Sequence, residues 1–575
     1  MRRSPFVRDF QIAALWVDSS GSLWVSPYGK GLVGYDSNGV PFCHLKSPGK
    51  LSNDVILDIK ERDGKLWLAT DGGGINVYDP ASGEVNVIEH APGKLSSLPV
   101  ASFWCLYNDP NNNIWAGSIR GGLIGMKEIY IQTYRDAVLN SIHGLSDKTV
   151  VGMYEDHDSV IWLGTDGGGI NRLEPHTGCF RHYPSTYPSK VVSIIGYTNS
   201  ELLYSSFGKG LYLFNKETGS NREYPVMDEE KHNFLFKTGK SVHLFRLDKS
   251  RFYLLADSVY LYDQSTRKLT SVQVEGKEEC FASTCLVACE PDVCYLRGES
   301  SLFELDYSKN LLRPIYTSAD SVGIISAACK DVQGNFWIGT AAGLFCYDPV
   351  SKTLTAIEND RFRGINSLGF DRSGRLWIGT HNGLFAYTHE DRKIMMFGES
   401  DGVYANEYVE KSPLITRSGD IYMPGVTGLV RISNNLPFSE NPDPVIRLLD
   451  VTLNGASAGA LVGRKGNSIA VPWNYTSLIA KVIVRENDLM RKKHYRYYIK
   501  GFQGEMIESP NHALAFHSLS VGSYEVWVSC NKKNGDWSTP VKLLSIEVTP
   551  PWWRTGWFRF ISLLFVLAGV SFISG

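Results

Sequence analysis

One phrase recurs along this chain and constrains its fold more than any other feature. It reads Asp-x-x-Gly-x-Leu-Trp, then a short run ending in Thr, then a turn rich in glycine. One Trp or Tyr marks each copy: Trp24, Trp67, Trp115, Trp162, Tyr204, Tyr253, Tyr295, Trp337, Trp377 and Tyr422. Successive marks lie roughly 40 to 49 residues apart, the period of a four-stranded propeller blade. Residues 51–90 show why. Val55, Leu57 and Ile59 alternate with other residues as a strand does. Glu61-Arg62-Asp63-Gly64 is a turn, and Leu66-Trp67-Leu68-Ala69-Thr70 a second strand. Asp71-Gly72-Gly73-Gly74 is a tight turn that needs the positive φ of glycine. Ile75–Tyr78 and Glu84–Ile88 supply two further strands. Four antiparallel strands make a blade, and the Trp is the wedge between neighbouring blades. The phrase is legible again at 155–175, 331–349 and 371–387. It blurs between about 190 and 310, where three blades are still expected, from Val191, Asn233 and Cys280 onward.

Ten repeats exceed the four to eight blades usual in one propeller. The natural split is seven and three. A closed seven-bladed propeller is expected over 141–437. The first 140 residues would hold a partial propeller of three blades, either because its other blades are absent from this chain or because three blades stack irregularly. The Pro-rich Asn441-Pro442-Asp443-Pro444 reads as a linker. Alternating runs such as Arg496–Ile499 and Tyr524–Val528, separated by glycine turns, predict a small β-sandwich over 438–549. The fold class is therefore all-β: propeller blades, then an immunoglobulin-like sandwich, then a C-terminal helix.

That helix carries its own signal. From Phe560 to Gly575 the chain has no charge. Trp552, Trp553 and Trp557 cluster before it as an interfacial aromatic belt would, with Arg554 and Arg559 placed to snorkel. The run of about 16 apolar residues falls short of the roughly 20 that span a bilayer, so a transmembrane helix cut near its far end is expected. At the other end, Met1-Arg2-Arg3 has the charge of a signal peptide but no apolar segment follows. A formal charge of -2 with no basic domain argues against a nucleic-acid partner. Cys280, Cys285, Cys289 and Cys294 crowd one repeat, yet form no Cys-x-x-Cys pair and have no His among them, so no metal site is expected there. Cys289 and Cys294 flank a turn and are placed to face each other across a hairpin, open to a disulfide. Small thiols buried in strands account for them more simply.

The repeats resemble the regulator-propeller repeats in the periplasmic sensor region of hybrid two-component systems, with residues 147–175 matching almost throughout. After them, His494-Tyr495-Arg496-Tyr497-Tyr498-Ile499-Lys500-Gly501-Phe502, Leu519–Val526 and Asn534-Gly535-Asp536-Trp537-Ser538 resemble the three-tyrosine domain of those sensors. Pro550-Pro551-Trp552-Trp553 resembles their entry into the membrane. The resemblance implies a periplasmic sensor, anchored in the inner membrane, that detects a glycan-derived oligosaccharide and signals as a homodimer. The kinase, receiver and DNA-binding parts of such systems are absent from this chain, which also departs from the family's fourteen blades. The alternatives are a propeller glycosidase or polysaccharide lyase, and a protein-binding scaffold.

No pair of carboxylates is set apart by sequence as acid and base, so no catalytic residue is expected. The Asp-Gly-Gly-Gly turns lead into no helix and cannot cradle phosphate; no cofactor is implied. If a ligand binds, propeller geometry favours one face, reached by the turns between second and third strands. The side chains there that suit sugar rings and hydroxyls are Tyr28, Lys30, Asp71, Arg120, Asp166, Phe207, Lys209, His381 and Asn382.

Overall fold

Residues 51–90 fold as their alternation dictates. Ile56–Arg62, Lys65–Thr70, Ile75–Tyr78 and Val85–Ile88 pair in sequence order as one antiparallel sheet. The computed structural model describes residues 11–574 apart from 92–96, 110–112, 127–129, 138–141, 226–234, 237–240, 277–284, 320–321, 360, 405–406, 438–442, 460–466, 486–492, 503–505, 518 and 533–535. The expected blade starts at Asn233 and Cys280, the Asn441-Pro442 linker and Asn534-Gly535 lie outside the described residues. The chain divides into two compact units, 1–383 with 402–436, and 384–401 with 437–575.

In the first unit, a sheet over 12–45 precedes the one just described, and a third spans 103–126 with three strands. The strand after that third sheet goes elsewhere. Ile131–Tyr134 pairs with Gly428–Ile432, as Ile131 opposite Ile432 and Tyr134 opposite Leu429. It becomes the outer strand of the sheet that ends the repeats. Thr133 Oγ1 donates to Gly402 O at 2.7 Å and accepts from Tyr404 N at 3.0 Å. Thr149 Oγ1 donates to Val426 O at 2.8 Å, so the first inner strand of the run also meets the last repeat. A boundary at 140 leaves Ile131–Tyr134 on the wrong side of this ladder. Four residues of ordinary strand composition carry no sign of so distant a partner.

Between those ends the sheets follow one another at 150–182, 189–223, 243–271, 285–317 and 325–357, and the strands Ile365–Phe370 and Leu376–Thr380 make a further hairpin. The first two join into one sheet, because Asp166 and Gly167 pair with Lys190 and Ser189. The fourth gains an extra strand, Gln273–Val274, parallel to Leu311–Leu312.

The anchors are buried as wedges. Trp24, Trp162, Trp377, Tyr204, Tyr253 and Tyr422 are at most 1% exposed, whereas Trp67 and Trp115 are half-buried. Trp162 packs on Phe214 of the next sheet at 5.7 Å, and Trp337 on Phe370 at 6.0 Å. The glycine two residues after the Trp lets the next inner strand close in. A Cβ on Gly164 would meet Val191 O at 2.3 Å, and one on Gly339 the Ile365 Cγ2 at 2.4 Å.

The second unit holds two sheets. One contains Val445–Leu453, Leu478–Arg485 and Ala513–Phe516; the other contains Ser468–Pro472, Tyr495–Lys500, Gly522–Cys530 and Val541–Thr549. Their inner faces share one core, including Val471, Leu478, Tyr497, Val526, Leu544 and Ile546. Tyr524 Oη donates to Ser520 O at 2.9 Å, the tyrosine corner of immunoglobulin-like sandwiches. The hairpin Gly383–Thr388 with Lys393–Phe397 groups largely with this unit. Trp552–Arg554 forms a short 3-10 turn, and Gly556–Ser574 an α-helix. Among the described residues no helix is long and apolar enough to cross a membrane, so the expected span is not met there.

Candidate functional site

The conserved phrase within the chain is structural, and knowing why clears the ground for the site. In the copies marked by Trp24, Trp115, Trp162, Trp337 and Trp377 an aspartate six residues earlier closes the turn and then holds the ring, whereas Trp67 has Glu61 at that place, bonded to Ser19. Asp156 Oδ1 accepts the N–H groups of Asp158 and Val160, and its Oδ2 accepts Trp162 Nε1 at 2.9 Å. Asp18 does the same for Trp24 at 2.7 Å, Asp109 for Trp115 at 3.1 Å, Asp331 for Trp337 at 3.0 Å and Asp371 for Trp377 at 3.1 Å. Burial alone would raise the Asp156 carboxyl; bonds from Trp162 and Lys216 outweigh it and hold it below the usual range. The Thr of the phrase closes the following turn, as Thr70 Oγ1 donates to Gly74 O at 2.7 Å and Thr165 Oγ1 to Gly169 O at 3.0 Å. The Asp-Gly-Gly-Gly segments are turns between strands. Asp156, His157 and Asp158 offer three ligand atoms within 4.8 Å of one another, but the Asp156 carboxylate is already committed to the ring and to Lys216.

All nine side chains expected to bind a ligand are exposed, and they lie at or beside turns between second and third strands. The structure brings three of them together. Asp166 pairs with Lys190 at 3.0 Å, and the Lys190 Nζ sits 5.4 Å from the Phe207 ring centroid. Lys209 Nζ donates to Pro188 O at 2.6 Å and to Ser189 Oγ at 3.3 Å. The cluster thus sits where two sheets fuse, and it presents one half-open aromatic ring amid charges. Lys190 was not among the expected residues; it is the second residue of the inner strand Ser189–Gly196 and pairs there with Asp166. The other six are distributed. Tyr28 and Lys30 belong to the turn at 28–31 and Asp71 to the next sheet, where its carbonyl accepts from Asn53 Nδ2 at 2.8 Å. Arg120 lies in the turn between Ile114–Ser118 and Leu123–Met126, while His381 and Asn382 form the turn after Leu376–Thr380.

A second feature escaped the sequence reading altogether. A cavity of about 720 Å³ is lined by the inner strands of the sheets at 150–182, 189–223, 243–271 and 285–317 together with residues 411–414. Lys411 Nζ donates to Val151 O at 2.7 Å and Val192 O at 3.0 Å, and Ser412 Oγ to Leu286 O at 3.3 Å. His243 and Cys285 share this lining. The reading that no His lies among the cysteines holds along the chain and fails in space, because neighbouring repeats set their inner strands side by side. Cys289 and Cys294 do face each other in register, and both are free thiols.

The two component regulator propeller family matches residues 97–120 and 144–167, and the Y_Y_Y domain family matches 486–549. The chain carries regulator-propeller repeats and a Y_Y_Y domain. Histidine kinase P4 of Formosa agariphila is 21% identical over 559 residues, 94% of this chain and 34% of that protein. The chain therefore spans about a third of the length of this curated relative. Among solved structures, the extracellular domain of the putative hybrid two component system BT3049 from B. thetaiotaomicron is similar over 94% of this chain and 73% of that one, at 18% identity and a TM-score of 0.69. The extracellular domain of the putative one component system BT4673 from the same organism covers 96% and 82%, at 16% identity and a TM-score of 0.43. Within the Y_Y_Y domain, Tyr495 and Tyr497 are buried in the sandwich core, and burial pushes the Tyr495 phenol up to about 12.

Proposed function

We propose that this chain is the extracytoplasmic sensor region of a two-component system, and that it binds a glycan-derived oligosaccharide without transforming it. The observation that carries the reading is the order of parts: regulator-propeller repeats, then a Y_Y_Y domain, then a Trp-rich entry to an apolar helix. The Asp166, Lys190, Phe207 and Lys209 cluster supports a carbohydrate ligand, since a sugar ring stacks on an exposed aromatic face while its hydroxyls bond to charged neighbours.

The sandwich passes the event toward the inner membrane, within a homodimer. Trp552, Trp553 and Trp557 are 59%, 44% and 59% exposed, and Trp473 of the sandwich meets the Trp553 ring at 5.4 Å. Exposed indoles gathered beside an apolar helix suit the bilayer interface. Calorimetry of the chain against oligosaccharide fractions tests the reading. Phe207→Ala and Lys209→Ala are expected to weaken binding by about tenfold each, ~1.4 kcal/mol. Binding of a peptide or protein, with no carbohydrate bound, would sink it. New reducing ends or unsaturated products released from a glycan panel would show an enzyme instead.

A further inference from the structure

Cys285 opens the inner strand of its repeat, and His243 opens that of the preceding one. Both are half-buried and both line the 720 Å³ cavity, so the thiol has room beside it for a small molecule. Three cationic side chains are placed around it by the neighbouring strands and the last repeat. Arg297 stands opposite Cys285 in the hairpin register, is 5% exposed, and is held by Ile325 O and Glu410 O. Lys411 enters from the last repeat and is held by two carbonyls. Arg246 lines the same cavity, its guanidinium taken up by backbone carbonyls including Tyr197 O and Asp248 O, while the Asp248 carboxylate is paired with Arg251. Among the described residues that line the cavity, Asp248 is the one carboxylate, and it is taken up by Arg251.

We propose that Cys285 is a nucleophilic thiolate, and that a small hydroperoxide entering the cavity converts it to a sulfenic acid. The sulfur attacks one peroxide oxygen; an S–O bond forms and the O–O bond breaks. Sulfur gives up two electrons and the peroxide is reduced. The leaving oxygen departs as hydroxide or alkoxide and takes its proton from solvent water. Lys411 and Arg297 hold the negative charge on sulfur before the attack and are positioning residues. The other cysteines are an internal contrast. Burial pushes Cys294 up to about 12, and Cys329 well above the ordinary thiol range. For Cys285 burial acts the same way, but the neighbouring His243 ring, Arg297 and Lys411 outweigh it and bring the thiol down to about 6. Thiolate character, not burial, governs reactivity toward oxidants.

The test uses the full chain, reduced and then treated with hydrogen peroxide and dimedone, with peptide mass spectrometry to locate the adduct. Cys285 is expected to carry the adduct before Cys294 or Cys329 reacts. Alkylation by iodoacetamide across pH 5–9 is expected to reach half-maximum near 6 at Cys285. His243→Gln is expected to move the Cys285 profile up by about one pH unit or more. A Cys285 that alkylates no faster than Cys105 at pH 6.5 in the unaltered protein overturns the proposal, as does a His243→Gln profile that does not move.

Discussion

Trp162, Trp337 and Trp377 are tethered to an aspartate six residues earlier, whereas Tyr204 and Tyr253 in the blurred stretch reach Asn221 and Asn310, 17 and 57 residues later. Both kinds of sheet bury a large ring at the same place and satisfy its polar tip. They differ in where the acceptor comes from. In the first kind, seven residues encode the turn, the ring and its partner together. In the second, the turn survives but the coupling is broken: Asp248 still accepts the N–H groups of Ser250 and Arg251, yet its other oxygen goes to Arg251 Nε at 2.7 Å and not to the ring. The cavity and its Cys285, His243 pair lie against the inner strands of these blurred repeats, joined by Met153 and Tyr154 of the clear repeat at 150–182 and by residues 411–414.

The difference is open to measurement. Trp162→Ala is expected to cost about 3–5 kcal/mol, because the ring is 1% exposed and packs against Tyr183 and Phe214. A urea midpoint equal to that of the unaltered chain would deny the wedge. Asp156→Ala is expected to cost about 1–3 kcal/mol, since it leaves a buried indole N–H without its acceptor and Lys216 without its partner. Tyr204→Phe removes a single bond at 3.0 Å and keeps the packing, so about 1 kcal/mol is expected. If Tyr204→Phe proved as harmful as Asp156→Ala, the contrast between local and distant tethering would fail.

The same contrast explains what could be read in the sequence. The blade at 51–90 was legible to within a residue or two because its strand alternation and its turns are specified locally. Cys285, His243 and Lys411 were illegible because three separate repeats bring them to one cavity, and no spacing along the chain records that. The turns carrying Asp166, Phe207 and Lys209 were found from their place in the repeat. Their gathering around Lys190 was not, since it depends on the short ladder that fuses two sheets. Ile131–Tyr134 shows the same limit: its alternation predicts a strand but cannot name Gly428–Ile432 as its neighbour.

Acid provides the smallest and most selective effect. The Asp156 carboxyl is held below the ordinary 3.8 in the fold; burial opposes this, and the bonds from Trp162 and Lys216 prevail. A carboxyl depressed by folding adds stability that is complete above its unfolded value and fades as pH falls through the folded one. The penalty of Asp156→Asn is therefore expected to be constant from pH 7 to about 5 and to shrink below pH 4. Burial pushes the Tyr204 phenol upward, so that group is neutral in both states throughout this range. The penalty of Tyr204→Phe should accordingly stay flat from pH 7 to 3. Urea titrations of the two variants and the unaltered chain across that interval separate the cases. Parallel curves for Asp156→Asn at every pH would mean that its carboxylate is not what holds the ring, and that the tether works through the turn alone.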